Sequence, residues 1–491
     1  MVDLSKSGSK VESDRVGRVS LPPADYVLEL LELDADALKL IEPLSKRQQY
    51  RAVINWVTNY KCPPEVNEKR EVVKGYLEAF YHLCQVGDWK RAKRILLIKV
   101  PPVDKDLKIQ LWRWGYYEEC IQLYSRLLRK LDKYWDSICL NGLGIAYRSL
   151  GECDKSIKYH HDSLKIAREI GNRFGQGDAL GNLGIVYHSL ARYHQAIKYH
   201  QDSLKIAREI GNRSMEGNAL GNLGIVYRSL AEYQKAIEYL QDSLKIAREI
   251  SNRCGEGNVL ANLGLAYDSL AEYQKAIEHH KQHLKIGREI GNRSMEGNAL
   301  GNLGIVYHSL ARYHQAIEHH NQHLKIGREI GNRSMEGNAL GNLGIVYRSL
   351  GEYQKAIEYL QNSLKIAREI GNHSGEGTVL ENLGIVYRSR GEYQKAIKHL
   401  QQSLKIAREI SNRSGEGTAL ENLGIVYRSL AEYQKAIEYL QQSLQIAREI
   451  GNHSGEDTAS ENLDVVYRSI GSSGEGNALV NWGKTLFLEV F

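Results

Sequence analysis

Proline is scarce in this chain of 491 residues, and its distribution is the first guide to the fold. The seven prolines all precede residue 103, at Pro22, Pro23, Pro43, Pro63, Pro64, Pro101 and Pro102. Proline breaks helices and marks loops, whereas the proline-free remainder carries most of the 45 glycines. This combination predicts continuous helical packing in which glycine closes the turns.

Several chemical signatures are also missing. The six cysteines, at positions 62, 84, 120, 139, 153 and 254, form no CxxC pair, which indicates reduced thiols and a cytoplasmic protein. No apolar run approaches the roughly 18 residues of a membrane span, and the first stretch of the chain lacks the apolar core of a signal peptide. Because no phosphate loop, nucleophile elbow or carboxylate pair is present, we predict neither an enzyme nor a cofactor.

Charge of one sign is likewise not in excess. Lysine and arginine number 65 against 59 aspartates and glutamates, which gives a net charge of +6 without a basic domain. A general nucleic-acid-binding protein is therefore disfavoured. The short basic run from Lys90 to Arg94 is interpreted as the solvated polar face of a helix.

Histidine pairs offer the best candidates for metal ligands. His279 and His283, like His319 and His323, are four residues apart on predicted helices and could chelate zinc or nickel. Neither pair stands in an HExxH frame, and no cysteine pair is near. We therefore predict no metal site and interpret these imidazoles as solvated.

What the sequence does contain is a repeat of 40 residues. One leucine column shows the period without slippage: Leu180, Leu220, Leu260, Leu300, Leu340, Leu380 and Leu420. Residues 137–456 hold eight such units. A period of this length is typical of solenoids, in which each unit buries its apolar face only by stacking on its neighbours.

Each unit carries two helical patterns. In the first, Leu180, Leu183, Gly184 and Tyr187 follow the i, i+3, i+4, i+7 spacing, and a second pattern begins at Tyr193. Gly211 should end the second helix in a left-handed conformation, and Asn212 should cap the next first helix. The short connection between the two patterns predicts antiparallel hairpins, and hence an all-α solenoid.

The residues resemble a known family. The pattern LG-x-x-Y of the first helix, followed by alanine early in the second, is similar to the tetratricopeptide repeat over at least residues 137–470. The 40-residue length resembles the long-repeat branch found in spindle-orientation scaffolds, kinesin light chains and large bacterial arrays. The resemblance implies a right-handed superhelix whose first helices line a concave groove.

Outside the regular units the expectations are coarser. Residues 1–23 are predicted to be a disordered tail, and residues 24–67 to form helices of no assigned family. Residues 68–136 are interpreted as two degenerate hairpins of the same type. Residues 457–491 are interpreted as a truncated repeat followed by a capping helix.

Three columns of the first helix face away from its core stripe, and the resemblance places them in the groove. The asparagine column is Asn182, Asn222, Asn262, Asn302, Asn342, Asn382, Asn422 and Asn462. The aliphatic column is Ile185, Ile225, Leu265, Ile305, Ile345, Ile385 and Ile425. The arginines are Arg228, Arg348, Arg388 and Arg428, which alternate with His188, His308 and Asp268.

These columns have two interpretations. An asparagine amide can pair with both polar groups of an extended backbone, and exposed apolar stripes beside such groups mark interfaces. Alternatively, the asparagines bond between neighbouring repeats and the isoleucines help first helices to pack. The groove is also uneven in charge, since Glu381, Glu421 and Glu461 replace the glycine or alanine of earlier units.

Two functions follow from the sequence. The first is a non-catalytic scaffold that binds an extended peptide or partner helix in the groove, with a protein or peptide as partner and neither nucleic acid nor membrane involved. The second is a regulatory or sensor array whose ATPase or protease effector is absent from this chain. The sequence names neither the partner nor the oligomeric state.

Overall fold

The computed structural model describes residues 21–34, 36–63, 68–101 and 105–472. The predicted tail, apart from its last three residues, and the predicted capping helix after residue 472 lie outside this range. The chain divides into two compact units, one ending at Ile246 and the other beginning at Ala247. No helix among the described residues is both long and apolar enough to cross a membrane.

Short and irregular helices form the amino-terminal part of the first unit. They are α1 (Ala24–Leu31), a 3-10 helix (Ala37–Leu40), α2 (Leu44–Thr58), α3 (Lys69–Val72), α4 (Lys74–Gln85), α5 (Trp89–Leu96), α6 (Leu107–Arg113) and α7 (Tyr117–Leu127). Between α5 and α6, β1 (Lys99–Val100) and β2 (Lys105–Asp106) pair antiparallel. Helices α4 and α5 pack on each other, as do α6 and α7. Their assignment to degenerate repeats stays a prediction.

Regular hairpins follow, each made of a first and a second helix. In the first unit they are α8 (Lys133–Ser149), α9 (Cys153–Glu169), α10 (Arg173–Ser189), α11 (Tyr193–Glu209) and α12 (Arg213–Ser229). Helix α13 (Tyr233–Glu249) contains the division between the units.

In the second unit the helices are α14 (Arg253–Ser269), α15 (Tyr273–Glu289), α16 (Arg293–Ser309), α17 (Tyr313–Glu329), α18 (Arg333–Ser349), α19 (Tyr353–Glu369), α20 (His373–Ser389), α21 (Tyr393–Glu409), α22 (Arg413–Ser429), α23 (Tyr433–Glu449) and α24 (His453–Ser472). Within each unit, first helices pack on their own second helices, as α8 does on α9 and α16 on α17, and second helices pack on the next first helix. The predicted all-α architecture of stacked hairpins is confirmed.

Helix ends are set by the residues that the repeat predicts. The Asn212 side chain accepts a hydrogen bond from the Met215 backbone N–H and so caps the start of α12. Gly211, with φ of +66°, ends the preceding helix in the left-handed region that glycine favours. Both cap predictions are confirmed.

The hairpin core depends on small residues and stacked rings. Leu180 and Leu183 are buried beside Ala196, which is also buried. The rings of Tyr187 and Tyr199 stack with centroids 5.2 Å apart. Aromatic pairs of this kind contribute roughly 1 kcal/mol beyond their buried area, so each repeat is held by both apolar packing and ring contact.

The interpretation of the basic run as a solvated face is wrong. Arg91 Nε donates to the carbonyl oxygen of Leu31 at 2.6 Å, and Arg94 Nη1 donates to that of Leu30 at 3.1 Å. The last carbonyls of a helix have no partner within it, and cations there also favour the helix dipole. Arg91 and Arg94 therefore cap the carboxyl end of α1, whereas Lys90 of the same run is exposed. Helical periodicity does not reveal this contact between residues about 60 positions apart.

Candidate functional site

The candidate site lies on the first helices. In the second unit, α14, α16, α18, α20, α22 and α24 contact one another in succession, whereas the described second helices do not approach each other as closely. The leucine and tyrosine columns of these first helices face the second helices. We call the three columns predicted from the sequence, led by Asn182, Ile185 and Arg228, the first-helix face.

The structure places every member of these columns at a half-buried or exposed position. All eight asparagines and all four arginines are half-buried, and Ile305 is the most open of the aliphatic residues, with 38% of its surface exposed. An apolar residue this open has no complete packing partner. The aliphatic column is therefore partly available to a ligand.

Four of the asparagines bond to a neighbouring repeat, as the structural alternative predicts. Asn182 donates to Asn141 Oδ1 at 3.2 Å. Asn422 and Asn462 donate to the carboxylates of Glu381 and Glu421 at 3.3 and 3.1 Å. At these positions the amide side chains tie successive first helices together.

Asn382 belongs to the same group because it accepts a hydrogen bond from the preceding repeat. Arg348 Nη1 donates to Asn382 Oδ1 at 3.3 Å, and Arg428 Nη1 donates to Asn462 Oδ1 at 3.4 Å. Asparagine, arginine and glutamate side chains are thus hydrogen-bonded between each successive pair of first helices from α18 to α24. Sequence reasoning placed the two glutamates in the groove but did not identify their hydrogen bonds.

The first three first helices of the second unit, α14, α16 and α18, are different. Among the described residues, the side chains of Asn302 and Asn342 have no hydrogen-bond partner, and Asn262 donates only to the carbonyl of Asn258 in its own helix, at 2.9 Å. A polar group that is partly removed from water without a partner gains when a ligand supplies one. These three asparagines therefore have unused hydrogen-bonding capacity, as has Asn222 of the first unit, whose side chain also has no hydrogen-bond partner among the described residues.

Burial shifts the pKa values of several charged groups on the first-helix face. It raises the pKa of Glu381 to about 7, with the negative charge of Glu421 adding to the effect and Arg348 opposing it. Burial also lowers the pKa of Arg348 and of Arg388, the latter further because Arg428 and Arg348 carry the same charge. The face therefore holds charges that its surroundings solvate incompletely.

The histidine pairs are not solvated, so that part of the prediction is wrong. Only 3% of His283 and 5% of His323 is exposed. His279 and His319 stack on Tyr267 and Tyr307 with ring centroids 5.2 Å apart. Across the described residues, no three histidines, cysteines or carboxylates come together as a metal site. The imidazoles fill positions in the hairpin core.

Family models identify the repeat. The tetratricopeptide repeat model matches residues 136–209, 175–249, 215–289, 255–329, 335–409 and 411–475, which together make up more than half of the chain. The chain belongs to the tetratricopeptide repeat family. Curated protein sequences provide no match to it.

Solved structures share the fold of this tetratricopeptide repeat protein. A Rap protein complexed with competence and sporulation factor is 14% identical, with a TM-score of 0.52 over 77% of this chain and 98% of that one. The apo form of the quorum sensor NprR from B. thuringiensis is 16% identical, with a TM-score of 0.50 over 77% and 99%.

A signal transduction ATPase with a tetratricopeptide repeat sensor, from Pyrococcus horikoshii, is 14% identical, with a TM-score of 0.51 over 89% of this chain and 65% of that one. At these identities the likeness shows the fold alone.

Proposed function

We propose that this tetratricopeptide repeat protein is a non-catalytic scaffold that binds an extended peptide segment of a partner protein on its first-helix face. The observation that carries the proposal is the state of Asn302 and Asn342, whose half-buried amides have no partner among the described residues. Each amide offers a donor and an acceptor, the same pair that every residue except proline presents along an extended backbone.

Apolar surface beside the amides supports the proposal. Ile305 lies three residues after Asn302 and is 38% exposed, and Ile345 stands in the same relation to Asn342 and is half-buried. Burying apolar surface contributes roughly 25 cal/mol per Å². A peptide lying on this face would gain from both kinds of contact, with its backbone on the asparagines and its apolar side chains on the isoleucines.

The structural alternative explains the ends of the column better than its middle. Asn182, Asn422 and Asn462 use their amides between repeats. No such bond is present at Asn302 or Asn342 among the described residues. The proposal therefore assigns backbone binding to the central asparagines and a structural role to the outer ones.

The experiment changes the three central asparagines together. Peptides that bind the intact chain are selected from a displayed library of extended segments, and their affinity is measured for the variant Asn262→Ala, Asn302→Ala, Asn342→Ala. Loss of three hydrogen bonds at about 1 kcal/mol each should weaken binding by about two orders of magnitude. Alanine is the better helix residue, so the melting temperature should hold or rise.

The matched control replaces asparagines of the second helices. Asn321 and Asn362 are exposed there, so their change to alanine should leave peptide affinity unchanged. A triple variant that melts earlier but binds as tightly as the parent would contradict the proposal and support the purely structural role. A library that yields no binder would contradict peptide binding itself.

A second candidate function is a sensor array that controls an effector in another chain. Its support is the likeness in fold to a quorum sensor and to an ATPase with a tetratricopeptide repeat sensor. Cross-linking in extract of the native cell separates the two. An ATPase or protease recovered in stoichiometric amount would favour the sensor array, whereas a partner without such a domain would favour the scaffold.

A further inference from the structure

Three arginines on the first-helix face of the second unit differ from the arginines at the starts of the first helices. Arg348, Arg388 and Arg428 stand 40 residues apart on α18, α20 and α22, and no carboxylate of the described residues lies within 4.0 Å of their guanidinium groups. By contrast, Arg253 and Arg413 at the starts of α14 and α22 each form ion pairs with two glutamates. The three form an unpaired row that we call the arginine row.

The arginine row has unused binding capacity. A guanidinium carries five N–H donors. Among the described residues, Arg348 makes a single side-chain hydrogen bond, to Asn382, and Arg428 makes a single one, to Asn462. Half-burial removes part of the water from these cations, and a partly desolvated cation gains most from a hydrogen-bonded anion. Carboxylates match the planar arrangement of N–H donors that a guanidinium group presents.

The spacing of the row restricts the ligand. Helices α18, α20 and α22 contact in succession, and packed helices lie roughly 8–10 Å apart. A polyproline II segment has about 3 residues per turn and rises about 3.1 Å per residue. Residues i, i+3 and i+6 of such a segment therefore project on one side at intervals of roughly 9 Å, which matches one arginine per repeat.

We propose that the arginine row binds a partner segment in the polyproline II conformation that carries an aspartate or glutamate at every third residue. This inference rests on the proposed function and adds to it the charge pattern and conformation of the ligand. The backbone of such a segment has no internal hydrogen bonds, so its polar groups are free for the asparagine column.

The glutamates of the face argue against a nucleic acid in the same place. Glu381 and Glu421 accept hydrogen bonds from Asn422 and Asn462, beside the arginine row. Their carboxylates would repel a continuous phosphate backbone, whereas a peptide can place uncharged residues opposite them. The arginine row therefore fits a ligand whose negative charges are separated by uncharged residues.

The test uses the full chain and synthetic peptides of about 12 residues, long enough for four turns of polyproline II. One peptide carries four aspartates, one at every third position, in a proline-rich background, and a second has the same composition with its four aspartates at alternate positions of one half. Fluorescence anisotropy should show binding of the first that is about tenfold tighter and weakens with salt. Equal affinity for the two peptides would overturn the inference.

Variants of the row supply the second arm. Arg348→Gln, Arg388→Gln and Arg428→Gln together should weaken binding of the first peptide by at least about tenfold. The control changes Arg293, Arg333 and Arg413 to glutamine, which removes the same charge from ion-paired positions. Equal losses in both variants would overturn the inference. Should the row variant unfold, histidine replaces each arginine, because His188 and His308 already occupy this column.

Two further outcomes separate this inference from the proposed function. Neutral peptides that bind the central asparagines while charge spacing has no effect would overturn the charge pattern and leave peptide binding intact. A single-stranded oligonucleotide that displaces the acidic peptide and binds more tightly would overturn the peptide as occupant of the row. Absence of binding by every peptide would contradict the proposed function as well.

Discussion

At the scale of single residues, one column of the hairpin core holds histidine in four repeats and leucine in four others. His160, His200, His280 and His320 occupy a column that is leucine in four other repeats, at Leu240, Leu360, Leu400 and Leu440. All four imidazoles are buried against a glycine of the first helix. A Cβ added at Gly264 would lie 2.4 Å from Cε1 of His280, so the glycine is required by the ring.

Burial of these rings makes the fold sensitive to acid. It lowers the pKa of His280 and of His320 to about 3, with neighbouring histidines adding to the effect. The unfolded chain binds protons below its ordinary histidine pKa of about 6.5, while the folded chain does not. The contribution of these neutral imidazoles to stability is therefore fully present above about pH 6.5 and is lost as the pH falls from there towards 3.

Replacing buried histidines with leucine should remove part of this acid sensitivity. For each of His280 and His320, protonation of the unfolded chain should lower the free energy of unfolding by about 2 kcal/mol at pH 5 relative to neutral pH. The variant His280→Leu, His320→Leu should therefore lose less of its free energy of unfolding between pH 7.5 and pH 5 in urea titrations.

The control for this prediction is His314→Gln, because His314 is exposed and glutamine stands at the same position in neighbouring repeats. Its pH dependence should equal that of the parent. If the double leucine variant keeps the full pH dependence, the buried imidazoles are not its source.

At the scale of the helix, the turn inside each hairpin is built in two ways. Gly151, Gly351 and Gly391 have positive φ, as do the alanines that replace them elsewhere: Ala191, Ala231, Ala271, Ala311 and Ala431. An L-residue in the left-handed region costs roughly 1–2 kcal/mol, and glycine avoids that cost. The alanine-containing turns are therefore strained positions in otherwise equivalent hairpins.

Relieving that strain should stabilise the second unit. Ala271, with φ of +56°, changed to glycine should raise the free energy of unfolding by roughly 0.5–1 kcal/mol, after the greater freedom of glycine in the unfolded chain is counted. Gly351→Ala is the reciprocal variant and should be destabilised. Chemical denaturation measures both, and a change of the same sign in the two variants would contradict the explanation.

Contacts between repeats also have two forms. Met295 and Met335 are buried against Gly257 and Gly297 of the preceding repeat. Gly415 stands where those repeats have methionine, and a cavity of about 30 Å³ lies between it and Gly377. The same interface is thus filled in one repeat and open in another.

A pair of reciprocal variants should follow from this difference. Gly415→Met should raise the free energy of unfolding by about 0.7 kcal/mol, on about 24 cal/mol per Å³ of cavity filled. Met335→Gly should lower it by about 3 kcal/mol, as loss of a buried methionine does.

The helix cap must adjust to the filling substitution, because a Cβ added at Gly415 would lie 2.6 Å from Asn412 Nδ2. The side chain of Asn332 accepts from the Met335 N–H just as that of Asn412 accepts from the Gly415 N–H, at 3.0 Å in both cases. Thermal denaturation is the measurement, and a lower melting temperature for Gly415→Met would show that the cavity cannot take the side chain.

At the scale of the whole molecule, the described repeats contact mainly their neighbours in sequence. The seventeen residues from Gly291 reappear unchanged from Gly331. Helices α15 and α17 each end in HLKIGRE, so the surface offered to the next first helix carries the same residues. The stack can therefore lose one unit without creating a new kind of interface.

Deletion of residues 291–330 should leave a folded protein. The junction then joins Ile290 to Gly331, a sequence identical to the native one. We expect the same helicity per residue by circular dichroism and a somewhat lower melting temperature, because one nearest-neighbour interface is lost.

The matched control deletes residues 311–330, which removes the second helix α17 without its partner α16. It should expose the apolar side of α16 and promote aggregation. If the full-repeat deletion aggregates to the same degree, the contacts are not limited to neighbouring repeats.

The sequence by itself determined the helices, their caps and the family of this protein. The 40-residue period fixed the columns of leucine, glycine and tyrosine, and Gly211 and Asn212 marked the helix ends, because these features depend on residues a few positions apart. The choice of peptide binding over a structural role for the asparagines was not determined, since every member of the column looks alike in sequence.

Only the tertiary structure decided which of these repeated residues are paired. It joined Asn182 to Asn141 and Asn422 to Glu381, each 41 residues away, and left Asn302 without a partner among the described residues. It also turned the basic run towards the end of α1, through contacts such as that of Arg91 with Leu31. Such contacts depend on the distance and the angle at which neighbouring helices pack. Local periodicity in the sequence carries no information about either quantity.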